Sequence, residues 1–250
     1  MPTSPTPDPQ PIKITLLKTG ETFEEVKPLE GCYETWFANV FGERATWEVI
    51  DAPYGDTLPP PESIERLVIS GSPVSVYERR AWSVACSDWI GKVWAHNIPI
   101  LGVCYGHQLL ADALGGEVGA SPAGREMGAV EVTQRGRDPI FSGLSERFEV
   151  WQTHIDEVTH LPPQAEIIAS NEHCRVQAMA IGDHCRSVQW HPEMNQKILA
   201  HYVDARVKVI DEAWGEGAAM RLRDSLPPHL ESGAVIASNF LERFCGLGHA

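Results

Sequence analysis

The stretch IPILGVCYGHQLL, residues 98–110, places one cysteine between two glycines where an apolar run meets a run with helical spacing. The apolar run at 98–103 predicts a buried strand, and the pattern at 105–114 predicts a helix that two further glycines end. A sharp turn of this kind between strand and helix is a nucleophile elbow. The helix N-terminus offers unpaired N–H groups and the positive end of its dipole to a thiolate. We therefore predict that Cys104 is a nucleophile; the alternative is a buried structural cysteine.

The sequence before the elbow alternates between short apolar runs and amphipathic stretches. Strands are predicted at 12–17, 47–50 and 67–69, and helices at 33–41 and 79–94. Strands that alternate with helices in this way are typical of a parallel sheet covered by helices on both faces. An α/β fold is therefore expected.

The sequence after the elbow changes character twice. Five runs joined by short turns predict mostly antiparallel additions to the sheet, at 129–133, 147–151, 166–169, 176–181 and 186–190. The pattern then becomes helical at 198–214 and near 236–244. Closely spaced prolines predict a disordered tail at 1–11. We expect a single domain over 12–250 with a C-terminal helical extension.

The composition excludes several classes of function. Twenty basic against 34 acidic residues leave a formal net charge of -14, which repels phosphate backbones and anionic lipids, so neither nucleic acid nor a membrane is an expected partner. No apolar run approaches the roughly 20 residues needed to span a bilayer, and the first residues do not resemble a secretory signal. The six cysteines are expected to be reduced cytoplasmic thiols. One of them is then free to act as a nucleophile.

The tripeptide HPE at 191–193 follows the apolar run that ends at residue 190. Residues two apart on an extended chain project to the same side, so Glu193 can lie beside His191. A carboxylate there fixes the tautomer of the imidazole and stabilises the imidazolium that forms when His191 accepts the thiol proton. By itself HPE is more often a surface turn. The elbow upstream is what favours a catalytic pair.

The turn SGSP at 70–73 closes the predicted strand at 67–69. A Gly-rich turn at a strand end exposes backbone N–H groups, although it can equally be a tight turn without a function. The functional interpretation is half of an oxyanion hole, in which the N–H of Ser72 joins that of Tyr105, the residue after the nucleophile. One such donor contributes about 3 kcal/mol of transition-state stabilisation.

Together the elbow GVCYGHQ, the turn SGSP and the downstream QWHPE resemble class I glutamine amidotransferases, especially free-standing proteins similar to the amidotransferase domain of GMP synthase. The likeness runs from about residue 12 to residue 193 and includes GG at 115–116, EMG at 126–128 and THID at 153–156. It implies a three-layer α/β/α fold of the flavodoxin-like type with a central, mostly parallel mixed sheet. It also implies hydrolysis of the glutamine side-chain amide to glutamate and ammonia, and no cofactor or metal is expected.

The resemblance assigns catalytic roles to three residues. Cys104, His191 and Glu193 match the catalytic triad of the family without substitution. Ser72 departs from the family pattern, because many members carry glycine before this proline. The N–H group of the oxyanion hole is retained in this chain, but a peptide that bears a side chain reorients less freely than a glycine peptide.

The resemblance also implies contacts with the substrate. Gln108 matches a position that contacts it, and the stretch 151–155 matches the one whose backbone groups hold its amino-acid end. The substrate-binding residues expected there are Thr153, His154 and Ile155. For His154, a structural role that fixes the turn at Asp156 is the favoured alternative.

Other interpretations stay open at this point. The pairs His173-Cys174 and His184-Cys185 supply four soft ligands for a zinc site, although no Cys-x-x-Cys spacing is present. The sequence contains no G-x-x-x-x-G-K-[ST] phosphate loop, so an ammonia acceptor would be a synthetase partner in trans. A γ-glutamyl peptidase with the same triad acting on a small γ-glutamyl compound, and a non-catalytic binding protein on the same fold, are the competing functions.

Overall fold

The computed structural model describes residues 10–246, so the predicted tail at 1–11 lies almost entirely outside the described residues, and the single domain over 12–250 stays a prediction. The strands in the described part are β1 (Ile12–Lys18), β2 (Ala45–Asp51), β3 (Leu67–Ile69), β4 (Ile100–Val103), β5 (Glu117–Ala120), β6 (Glu126–Gln134), β7 (Arg147–His154), β8 (Asp156–His160), β9 (Ala165–Ser170), β10 (Ala178–Ile181) and β11 (Cys185–Val188). The α-helices there are α1 (Lys27–Glu30), α2 (Tyr33–Phe41), α3 (Ala81–Trp94), α4 (Tyr105–Ala113), α5 (Gln196–Asp204), α6 (Val207–Trp214), α7 (Ala218–Ser225) and α8 (Ser232–Asn239).

Nine of these strands form one mixed sheet in the order β2-β1-β3-β4-β11-β10-β9-β6-β7. The first five strands in this order, β2-β1-β3-β4-β11, pair in parallel with their neighbours. From β11 onward each neighbouring pair is antiparallel. The predicted α/β class, the central mixed sheet and its antiparallel additions are therefore confirmed. β4, which leads into the elbow, lies between β3 and β11. Because the carboxyl ends of parallel strands meet at one edge of a sheet, the turn after β3, the elbow and the segment after β11 come together there.

Two apolar cores hold helices against opposite faces of the sheet. The residues of β3 and β4 are buried throughout, as expected for parallel strands that helices cover on both faces. One core joins Leu16 and Val68 to residues of α2, α5 and α8. The other joins Leu17 and Ile69 to residues of α3 and α4. Adjacent strand residues point into different cores, which gives the three predicted layers.

The structure departs from the sequence prediction in several places, and two helices, α1 and α7, lie where the sequence predicts none. The helix predicted at 198–214 is divided into α5 and α6, because Arg206 leaves the helical region at φ -124° and ψ 18°. No glycine or proline lies at this break, so periodicity carries no signal for it. The last helix starts earlier than predicted, at Ser232, and continues as a π-helical turn at Phe240–Phe244. A separate antiparallel pair, β5 with β8, has no counterpart in the prediction.

Candidate active site

Cys104 lies on a sharp turn between β4 and α4. Its backbone has φ 51° and ψ -105°, a positive-φ conformation that costs a non-glycine residue about 1–3 kcal/mol. Two hydrogen bonds hold the turn: Cys104 N donates to Val188 O at 2.9 Å, and Gly106 N donates to Ser70 O at 3.0 Å. The strain is thus maintained by the neighbouring strands, and it presents the thiol at the start of α4.

The glycines on either side of Cys104 are required by close packing. A Cβ atom on Gly106 would overlap the carbonyl O of Ile69 and lie 2.8 Å from Ile69 Cβ. A Cβ atom on Gly102 would lie 2.5 Å from Leu110 Cδ1 and 2.7 Å from Gly106 O. The elbow therefore brings β3, β4 and α4 too close together for a side chain at either position.

His191 and Glu193 form a buried pair beyond the end of β11. The imidazole Nδ1 lies 2.7 Å from Glu193 Oε1, and the two residues are 3% and 4% exposed. The backbone N–H of His191 donates to Trp151 O at 2.9 Å, which ties this segment to β7. Because Glu193 occupies Nδ1, the other ring nitrogen is left to exchange a proton. That atom, Nε2, is buried and has no hydrogen-bond partner among the described residues.

The imidazole of His191 and the side chain of Cys104 both lie beside Gly71. A Cβ atom on Gly71 would lie 3.0 Å from His191 Cε1 and 3.7 Å from Cys104 Cβ. Burial by itself lowers the pKa of His191, but the negative charges of Cys104 and Glu193 outweigh burial, and the pKa of His191 is raised. The site therefore favours the positively charged form of His191, and a positive charge beside a cysteine is a feature of nucleophilic thiols.

The N–H groups predicted to form the oxyanion hole lie on the two loops that meet at Cys104. Tyr105 is the first residue of α4, so its N–H has no acceptor within the helix. The N–H of Ser72 has no backbone acceptor in the described part of the chain. The side chain of Ser72 packs on Gly20, where a Cβ atom would lie 2.8 Å from Ser72 Oγ. A glycine on the neighbouring loop thus accommodates the serine that departs from the family pattern.

A cleft opens over Cys104 and His191. It is lined by all but one of the residues predicted to contact substrate, namely Ser72, Gln108, Thr153, His154 and Ile155. The exception is Tyr105, whose hydroxyl lies 2.6 Å from Ser83 Oγ. Only the backbone of Tyr105 is therefore available to a substrate, as the oxyanion-hole prediction requires.

Gln108 and His154 both contact the carbonyl oxygen of Asp156, the first residue of β8. Gln108 donates its amide hydrogens to Asp156 O at 2.9 Å and to Gln189 Oε1 at 3.1 Å, which leaves its own Oε1 for a substrate. His154 is held at both ring nitrogens, each 2.9 Å from its partner: Asp156 O and Glu126 Oε2. These contacts favour the structural role of His154, since neither ring nitrogen is left for a ligand.

The cleft also contains side chains that no motif indicates. The hydroxyl of Tyr33 lies 3.7 Å from the Cβ position on Gly71, the same distance as Cys104 Cβ. Burial raises the pKa of Tyr33 well above its usual value, and the nearby Tyr202 adds to the rise, so the phenol remains a hydrogen-bond donor. Arg125 and Arg206 line the same cleft. In the sequence, Arg125 directly precedes the EMG motif, and this position is a signal for a residue of the site. Tyr33 and Arg206 lie far from any motif, so the sequence carries no such signal for them.

The four residues considered as zinc ligands do not form a cluster. The Nε2 atom of His173 lies 3.0 Å from the carbonyl O of Gly124, and that of His184 lies 3.2 Å from the carbonyl O of Trp94. Over residues 10–246, no group of three or more His, Cys, Asp or Glu side chains is arranged to hold a metal ion. The zinc alternative therefore has no geometric support in this part of the chain.

We expect an electrophilic glutamine analogue to label Cys104 rapidly and the other cysteines slowly. Burial raises the pKa of four other thiols, so they stay protonated near neutral pH: Cys86, Cys174, Cys185 and Cys245. Cys104 instead lies at the start of α4, beside a histidine whose pKa is raised. Peptide mapping after brief labelling measures the difference. Labelling of the half-buried Cys32 at the same rate would contradict the expectation.

Residues 40–206 match the family model described as glutamine amidotransferase class-I. The chain is 31% identical to Gamma-glutamyl peptidase 3 of Arabidopsis thaliana over 219 residues, which cover 83% of this chain and 88% of that protein. It is 36% identical to GMP synthase (glutamine-hydrolyzing) of Aromatoleum aromaticum over 176 residues, which cover 66% of this chain and 32% of the synthase. The chain thus spans about a third of the GMP synthase that it matches.

Solved structures show the same fold. A glutamine amidotransferase from Thermotoga maritima superposes with a TM-score of 0.75 at 21% identity, covering 94% of this chain and 98% of that one. A glutamine amido transferase from Methylobacillus flagellatus gives a TM-score of 0.70 at 22% identity, covering 96% of this chain and 97% of that one.

Among residues 10–246, no helix has both the length and the apolar character needed to cross a membrane.

Proposed function

Because the chain belongs to the class I glutamine amidotransferase family, we propose that it hydrolyses the side-chain amide of glutamine to glutamate and ammonia through a thioester on Cys104. The observation that carries this proposal is the strained elbow thiol beside the buried His191–Glu193 pair. A thiol at a helix N-terminus, next to an imidazole that a carboxylate orients, is the arrangement that covalent acyl transfer requires.

The first half-reaction acylates Cys104. The thiolate attacks the γ-carbonyl carbon, and the carbonyl oxygen becomes an oxyanion that accepts hydrogen bonds from the N–H groups of Ser72 and Tyr105. Collapse of this intermediate breaks the C–N bond. The imidazolium of His191 gives its proton to the departing amine, which leaves glutamine as ammonia. A γ-glutamyl thioester and a neutral imidazole remain.

The second half-reaction releases glutamate. His191 accepts a proton from a water molecule as the water oxygen attacks the thioester carbonyl. The second oxyanion collapses with cleavage of the C–S bond, which restores the thiolate and the imidazolium. In both halves Glu193 stabilises the positive ring through its contact with Nδ1, at 2.7 Å.

Mass spectrometry of acid-quenched enzyme tests this proposal. With glutamine, we expect a glutamyl increment on the peptide that contains Cys104 whenever acylation is faster than deacylation. The His191→Ala variant should form this adduct far more slowly, because its thiol lacks a base. Rapid hydrolysis by a Cys104→Ala variant would contradict the mechanism. The absence of both adduct and turnover with every γ-glutamyl compound would favour a non-catalytic binding protein instead.

A γ-glutamyl peptidase is the second candidate, and the extent of the matches favours it. The match to Gamma-glutamyl peptidase 3 covers 88% of that protein, whereas the match to the GMP synthase covers 32%. The chemistry at Cys104 would be identical, with an amino acid or peptide as the leaving amine. Comparing kcat/KM for glutamine and for γ-glutamyl dipeptides decides between the two substrates.

The glutaminase proposal includes an acceptor for ammonia. No G-x-x-x-x-G-K-[ST] loop occurs in this chain, so a synthetase partner in trans would have to use the ammonia. Turnover of glutamine should then rise when the correct synthetase is added. A peptidase would show no such dependence.

A further inference from the structure

Two arginines from distant parts of the chain line the cleft over Cys104. Arg125 lies in the loop before β6, and Arg206 lies at the junction of α5 and α6, where the chain leaves the helical conformation. Both are half-buried. The break between the two helices thus occurs at the residue that brings a second guanidinium to the cleft.

Neither arginine has an anionic partner in contact among residues 10–246. Arg125 makes no hydrogen bond or ion pair there, and the guanidinium of Arg206 stacks 4.4 Å from the ring centroid of Phe23. Arg206 Nε is buried without a hydrogen-bond partner. By contrast, the buried Arg186 meets Asp138 at 2.8 Å. A half-buried guanidinium without a partner is costly, so its retention beside a reactive thiol indicates a ligand.

The acidic residues of the cleft are already engaged by other groups. Glu21 accepts from Lys18 and Lys27, each at 2.9 Å. Asp156 accepts hydrogen bonds from Ser75 and Tyr77, and attracts Arg125 without touching it. These carboxylates therefore form no ion pair with either guanidinium group.

The two positive charges act on each other. Burial lowers the pKa of Arg206, and the charge of Arg125 lowers it further. Burial likewise lowers the pKa of Arg125. A negative group between them would remove this repulsion, and a carboxylate matches the donor geometry of a guanidinium fork.

We propose that Arg125 and Arg206 together bind a carboxylate of the γ-glutamyl substrate. The inference rests on the proposed function for the class of substrate. Two carboxylates have the required chemistry: the α-carboxylate of the γ-glutamyl group itself, and the C-terminal carboxylate of an amino acid or peptide that leaves as the amine. The second would make the arginine pair a determinant of specificity for γ-glutamyl peptides over glutamine.

Binding in a Cys104→Ala background separates these sources. The dissociation constant is measured by calorimetry for three ligands: γ-glutamylglycine with both carboxylates, γ-glutamylglycinamide with the α-carboxylate alone, and 4-aminobutanamide, which is glutamine without its α-carboxylate. Arg125→Met and Arg206→Met are each expected to weaken binding of the relevant carboxylate about 10- to 100-fold. A loss confined to γ-glutamylglycine assigns the pair to the leaving group. An equal loss with γ-glutamylglycinamide assigns it to the α-carboxylate. Binding of 4-aminobutanamide should not change in either case.

Lys208→Met is the matched control, because Lys208 lies on α6 two residues from Arg206, is 87% exposed at its side chain and does not line the cleft. It removes the same charge and should change each dissociation constant less than about twofold. Arg125→Lys and Arg206→Lys keep the charge without the fork, and should bind more weakly than the parent even if a methionine variant does not fold. Unchanged binding in the arginine variants, or no binding of γ-glutamylglycine by Cys104→Ala, would overturn the proposal.

Turnover by the wild-type chain distinguishes failure of this inference from failure of the proposed function. Hydrolysis of the γ-glutamyl amides, together with unchanged affinities in the arginine variants, would leave the function in place and remove the carboxylate site. Weakened affinities, together with no hydrolysis by the wild-type chain, would leave the carboxylate site in place and remove the proposed activity.

Discussion

Replacing Cys104 or His191 with alanine is expected to lower turnover of a γ-glutamyl amide about a million-fold, whereas Glu193→Gln should cost roughly ten-thousand-fold. Cys104 forms the covalent bond and His191 moves the proton, so the loss of either removes the whole pathway. Glu193 acts through the ring it contacts at 2.7 Å, and glutamine at this position keeps an oxygen that can accept from Nδ1. What the variant loses is the charge that stabilises the imidazolium.

Steady-state turnover of one substrate by the three variants provides the comparison. The chain offers a matched control in Glu117, which lies 2.9 Å from His160 in an exposed pair that does not line the cleft. Glu117→Gln should leave kcat and KM unchanged. Equal losses in all three triad variants would show that the carboxylate is as indispensable as the base, and that orientation alone does not describe its role.

The second large effect concerns stability: Gly106→Ala is expected to lower the free energy of unfolding by about 3 kcal/mol or more. Its Cβ atom would lie 2.8 Å from Ile69 Cβ and overlap the carbonyl O of the same residue. Backbone atoms of β3 would therefore have to move, and the hydrogen bond from Gly106 N to Ser70 O, 3.0 Å long, would be distorted with them. Chemical denaturation of the purified variant measures the loss.

Gly91→Ala is the control for this substitution. Gly91 also lies within a helix, α3, but its Cβ atom would meet nothing closer than Ala113 O at 3.5 Å. Alanine is a better helix former than glycine, so this variant should gain about 0.5–1 kcal/mol. If Gly106→Ala were as stable as Gly91→Ala, the close approach of β3 and α4 would not be what demands glycine at the elbow.

The parts of the site that the sequence predicted are those whose requirements are local. Gly102, Cys104 and Gly106 are all adjacent to one turn, so the strand, the strained residue and the helix start can be recognised together. His191 and Glu193 are also close in sequence, although the structure places them in a turn, in which Met194 N donates to His191 O at 3.2 Å, and not on the extended backbone that the prediction assumed. The alternation of strands and helices likewise predicted the parallel half of the sheet, because helices must cover both of its faces.

Tertiary structure decided the contacts that join distant segments. The break before α6 has no glycine or proline to mark it, and β5 pairs with β8 although β6 and β7 lie between them in the chain. The approach of Arg206 to Arg125 likewise depends on how α6 packs beside the cleft. Periodicity and turn chemistry describe forces between near neighbours in sequence. By themselves these forces place a side chain on the inner or outer face of its own element, and the packing of the whole sheet with its helices determines which distant side chain it meets.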